Sequence, residues 1–92
     1  MTTQTILNHV NKALVAITNG KYFDAIPLDA IFSAVRDNAG EVLDVDGSPL
    51  SGVILCGHEG VAHFSVAGMR RQLHLSWYTM QSGRYEVVAY MS

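Results

Sequence analysis

Hydrophobic positions recur along this chain first with the period of a helix and then with the period of a strand. Ile6, Val10, Ala13, Leu14 and Ile17 fall at i, i+4, i+7, i+8 and i+11, which is one face of a helix. Thr2 or Thr3 supplies a hydroxyl that can accept from an orphan N–H at the helix start. Asn19-Gly20 tolerates the left-handed conformation that stops it. His9 lies off the stripe and is expected in solvent. "KYFDAIP" (21–27) reads as a connector. A second helix is predicted over Pro27 to Asn38, where Leu28, Ile31, Phe32 and Val35 repeat at i, i+3, i+4 and i+7. Pro27 suits its first turn, Asp29 favours the positive end of its dipole, and Gly40 is a stop.

From Glu41 onward the period falls to about 2. "EVLDV", "GVILC", "VAHFSVA", "MRRQLHLSWYTM" and "RYEVVAYM" read as strands, separated by "DGSPLS", "HEG", "AG" and "QSG". Connections this short join antiparallel neighbours, so the strands should follow one another as a meander. The expected fold is α+β over a single domain, 1–92. Two N-terminal helices would pack on one face of a four- to five-stranded antiparallel meander sheet.

Alternation then assigns faces. With Glu59-Gly60 as a two-residue tip, Cys56 faces His63, Ile54 faces Ser65, Leu55 faces Phe64 and His58 faces Val61. Val53, Leu55, Ala62, Phe64 and Val66 share an apolar face, and a one-residue slip would scramble that separation. With Ala67-Gly68 as the next tip, His63 faces Gln72, Phe64 faces Arg71, and Val61 faces His74. Arg71 then falls on the apolar side, where its stem can cover the core while its head stays wet. The last turn reads as Gln81-Ser82-Gly83 with Gly83 left-handed, which sets Glu86 against Tyr78 and His74 against Tyr90. Cys56, His58, His63 and His74 are thereby predicted on one face, within roughly 10 Å of one another for strands ~4.8 Å apart.

Composition narrows the classes. Apolar residues make up 49% of the chain and charged ones 15%, which excludes disorder and leaves part of the surface to be covered, as by a second copy. Six basic residues against eight acidic ones give a net charge of −2, without the basic stripe that nucleic acid requires. The lone cysteine excludes an internal disulfide. "MTTQTILNHV" lacks the basic and apolar regions of a signal peptide, and no apolar run reaches the ~20 residues of a membrane span, so a soluble cytoplasmic protein is expected.

The chemistry of "CGHEGVAH" (56–63) divides several ways. A thiolate and imidazoles from Cys56, His58, His63 and His74 are zinc ligand types. C-x-H-x4-H is not the spacing of a familiar zinc module, and side chains projecting in parallel from a flat sheet close a tetrahedron with difficulty. Zinc aside, no cofactor is implied. The two histidines are five apart, which breaks the helical zincin pattern. Cys56 beside His63 could act as a nucleophile, but nothing there supplies an oxyanion hole or lowers a thiol pKa. The plainer reading is a polar sheet face with hydrogen-bonded histidines. "DVDGSPL" fails the calcium-loop spacing and reads as a turn at Asp46-Gly47.

The function expected on these grounds is a small non-enzymatic protein-interaction domain. It would act as a homo-oligomer, most simply a dimer, through the open sheet face or through "EVVAYM" as an edge strand. Its ligand or interface candidates are Cys56, His58, His63, Gln72, His74, Tyr78 and Tyr90. The alternative is a small-molecule or metal-binding domain, or an enzyme, using the same Cys/His face. A third class is an inhibitor that blocks a basic protein.

Overall fold

A computed structural model describes residues 2–39, 42–44, 54–66 and 68–92, with side chains described in 2–39, 57–66 and 68–92. The expected helix stop at Gly40, the turn at Asp46-Gly47, the tip residue Ala67, and the facing of Val53, Ile54, Leu55 and Cys56 lie outside the described residues.

The first helix, α1, spans Thr3–Thr18. Thr2 is its N-cap: the Thr5 N–H donates to Thr2 Oγ1 at 3.2 Å. At the other end Asn19 N–H donates to Val15 O, and Gly20 takes a left-handed φ of 70°. Thr18 is buried because its hydroxyl donates to Leu14 O at 2.8 Å, which removes the cost of hiding a polar group. The buried stripe is Leu7, Val10 and Leu14, with Ile6, Ala13 and Ile17 on its flanks. A short strand, β1 (Tyr22–Phe23), forms where a connector was expected. The second helix, α2, covers Leu28–Ala39, one residue on from the predicted bounds. Pro27 O accepts its first bond, from Ile31 N–H, and Ile31 and Val35 are fully buried.

The remaining strands are β2 (Val42–Asp44), β3 (Ile54–Cys56), β4 (Glu59–Val66), β5 (Met69–Thr79) and β6 (Tyr85–Met91). All pair antiparallel in one sheet of order β1-β6-β5-β4-β2, with β3 also on β4. The fold is α+β, with both helices on one side of the sheet: α1 lies over β6 and against α2. The core joins Leu7, Val10 and Leu14 to Ile31 and Val35, and both to the inward residues of the sheet. Phe64 sits at its centre, with the edge of Phe32 against it at a centroid distance of 6.3 Å.

Two features depart from a simple meander. The chain-order succession holds from β3 to β6, but β2 lies beside β4, end to end with β3, instead of pairing with β3. Strand β4 is eight residues long, so one edge accommodates both: β3 against Glu59–Val61, β2 against Phe64–Val66. The tip of the β3–β4 hairpin is Gly57-His58, not Glu59-Gly60, with Gly57 at φ 61°. Cys56 therefore pairs with Glu59 and Ile54 with Val61. The shift frees Glu59 and Gly60 to pair with Ser76 and Leu75, and His58 O accepts from Trp77 N–H at 3.0 Å. The turn moved by an even number of residues, so the faces of β4 are unchanged.

The other two hairpins follow the predicted registers. His63 pairs with Gln72 and Val61 with His74; His74 pairs with Tyr90 and Tyr78 with Glu86. Gly83 has φ 83°, and Met80 and Arg84 close the turn through Met80 N–H to Arg84 O at 2.8 Å. Arg71 lies half-buried, its Nε without a hydrogen-bond partner and its Nη2 3.9 Å from Met69 Sδ.

The outer edge of strand β6 is closed at both of its ends. Ser92 exchanges both backbone bonds with Gln72, so by alternation Met91 turns its N–H and C=O away from β5. Asn11 of α1 meets both: its Nδ2 donates to Met91 O at 3.2 Å, and Met91 N–H donates to its Oδ1 at 2.7 Å. At the other end β1 pairs with Tyr85 and Glu86, and Arg84 ties β1 down through Tyr22 O at 2.9 Å and Asp24 at 3.2 Å.

Candidate functional site: the open sheet face

Alternation gives β4, β5 and β6 one face under the helices and one face without them. Ala62, Phe64, Val66, Leu73, Leu75, Trp77, Val87, Ala89 and Met91 are buried beneath the helices. The intervening residues form rows across the open face, fixed by the pairings. The central row is Val61, His74 and Tyr90. On one side of it come His63 and Gln72, with Ser92 hydrogen-bonded to Gln72, and then Ser65 and Arg70. On the other side come Glu59, Ser76 and Val88, and then Tyr78, Glu86 and Tyr22.

The centre is ordered by side-chain contacts. The imidazole of His74 stacks on the ring of Tyr90, with centroids 4.7 Å apart and planes 11° from parallel. His74 Nε2 is 2.9 Å from Ser92 Oγ, a hydrogen bond whose donor depends on the tautomer. These contacts leave Tyr90 49% exposed and Val88 46% exposed, beside Tyr78 at 60% and Val61 at 37%. Single exposed apolar residues are ordinary, but these four together with Tyr22, 47% exposed, make a patch on one face of a small domain.

The sequence candidates separate into two groups. His63, Gln72, His74, Tyr78 and Tyr90 share this face, as expected. His63 and Gln72 also line, with Arg70, Arg71 and Ser92, a shallow depression of about 350 Å³ at its corner. His58 stands apart in the turn, exposed, at the far end of β4 from His63. Cys56 pairs with Glu59, four residues or ~14 Å of strand from His63, rather than opposite it. The side chain of Cys56 lies outside the described residues. Among the described residues no three His, Cys, Asp or Glu side chains converge as a metal set would.

Four contributing residues were not singled out from sequence. Ser92 anchors His74, Arg70 and Glu59 charge opposite ends of the face, and Asn11 closes the β6 edge. Asn11 carried a legible signal, because it lies four residues after Leu7 and three before Leu14, a polar amide inside an apolar stripe. No helix among the described residues is long and apolar enough to cross a membrane. Comparison of the chain with known protein families, curated proteins and solved structures gave no match.

Proposed function

We propose that this chain is a small, soluble, cytoplasmic protein-interaction domain that works as a homo-oligomer, most simply a dimer through the open sheet face. It needs no cofactor for this and binds neither nucleic acid nor membrane. The observation that carries the reading is the patch of Val61, Tyr78, Val88 and Tyr90 around the His74 stack, on the face opposite the helices. Aromatic and aliphatic groups with few charges are the composition of an interface core. Support for the face over the β6 edge comes from Asn11 and β1, which occupy backbone groups at the two ends of that edge and shorten what a joining strand could pair with.

Sedimentation velocity at tens of micromolar tests it. The expected species has twice the 10.0 kDa mass of the chain. A single species at the chain mass over that range contradicts the proposal.

A further inference from the structure

We infer that the second copy sits head to tail across the open face, related by a twofold axis that lies in the interface and runs across the strands along the Val61–His74–Tyr90 row. This rests on the homo-oligomer reading above and adds the geometry of the partner to it.

The face is polar along the strand direction: Arg70 and His63 lie toward one end, Glu59 and Glu86 toward the other. Arg70 and Tyr78, the residue paired with Glu86, are eight residues apart on β5, or ~27 Å. Among the described residues none of Arg70, Glu59 and Glu86 forms an ion pair within the chain; the pair present is Arg84 with Asp24.

Two faces can meet under a twofold axis only if that axis lies in the plane between them, and an isologous contact must complement itself. For two sheets packed in the aligned manner, with strands within about 30° of each other, two choices of axis remain. An axis along β5 lays β4 over the partner's β6 and keeps each end of the face against the same end of the other copy. Arg70 then meets the partner's Arg70, and the acidic ends also coincide. An axis across the strands lays each strand over its own copy with the direction reversed. His63 then faces the partner's Glu59, and Arg70 faces the partner's Tyr78 with the partner's Glu86 beside it. The apolar middle is kept, with Ser92 over the partner's Val88 and the His74–Tyr90 stack on the axis. Like charges opposed across an interface are unfavourable and opposite ones set the register, so the second arrangement is selected.

Charge exchange within one chain tests it, read as the dimer dissociation constant by sedimentation equilibrium at low salt. Arg70→Glu and Glu86→Lys, made singly, should each weaken the dimer about tenfold, and the double variant should return to within about threefold of wild type. His63→Glu with Glu59→Lys is an independent pair at exposed positions of β4 and should show the same recovery, even if Glu86→Lys disturbs folding. Raising the salt to ~1 M should shrink these differences, since the Debye length falls to about 3 Å. A wild-type dimer in which the paired substitutions simply add, or do nothing, overturns the head-to-tail arrangement and leaves the homo-oligomer standing. A wild-type monomer leaves the face to a different partner and overturns both.

Discussion

Asn11 is the residue whose removal tests the edge-closing contact most sharply. Asn11→Ala deletes two hydrogen bonds, at 2.7 and 3.2 Å, and leaves the Met91 N–H and C=O without their partner. An unsatisfied buried group costs ~1–3 kcal/mol. These two are only part-buried, so water reaches them and the lower figure applies, about 2 kcal/mol together. Alanine is the better helix former by up to ~0.7 kcal/mol, which offsets part of the loss. The expected net change is about 1.5 kcal/mol of destabilisation, or ~6–12 °C in Tm for a domain of this size. Urea unfolding followed by far-UV circular dichroism measures it, at matched protein concentrations because self-association would add to apparent stability. Asn8→Ala is the control: Asn8 is exposed on the same helix and, among the described residues, its side chain bonds only with Gln4, so its loss should stay within about 0.5 kcal/mol. Asn11→Asp keeps the acceptor but sets a carboxylate against the Met91 carbonyl, and should cost more than Asn11→Ala. If Asn11→Ala and Asn8→Ala shift the midpoint equally, the amide does not close the strand edge as described.

Other positions carry their own expectations. Phe64→Ala empties the centre of the core and should cost ~3–5 kcal/mol, visible as a large fall in the urea midpoint. That approaches the whole stability expected of a chain this long, at ~0.05–0.15 kcal/mol per residue. Gly83→Ala forces a Cβ into a φ of 83° and should destabilise by ~1–2 kcal/mol, although no atom stands within 4 Å of the added carbon. Its signature is a lower unfolding midpoint with an unchanged urea slope.

How much of this could be read from the residues depends on which signals were redundant. The sheet faces were legible because burial alternates over many positions at once, and any single-residue slip would have buried His63 and exposed Phe64. The last turn was legible because the alternative would have placed Glu86 in the core. The first hairpin was not, because Gly57 and Gly60 both offer a turn and either choice preserves the same faces. What separates them is long-range: the earlier turn extends the β4–β5 ladder and gives His58 O the Trp77 N–H, a partner nineteen residues away. That choice dispersed the expected Cys56/His63 pair while keeping His74 against Tyr90. The two-residue β1 was invisible for a related reason, since its extended form is held by pairing to β6 and by Arg84, not by any local period. Asn11 could have been noticed as a polar residue within the stripe, but its partner Met91 lies eighty residues on.

The central claim is that the open face is where this protein associates, and a matched pair of substitutions tests it most directly. Val88 and Val15 are exposed to similar degrees, 46% and 53%, but Val88 lies in the middle of the open face and Val15 on α1, on the other side of the molecule. Sedimentation equilibrium of Val88→Lys and Val15→Lys beside wild type should give a monomer for the first and an unchanged dimer for the second. A dimer that survives Val88→Lys and is lost with Val15→Lys, or is untouched by both, contradicts the account.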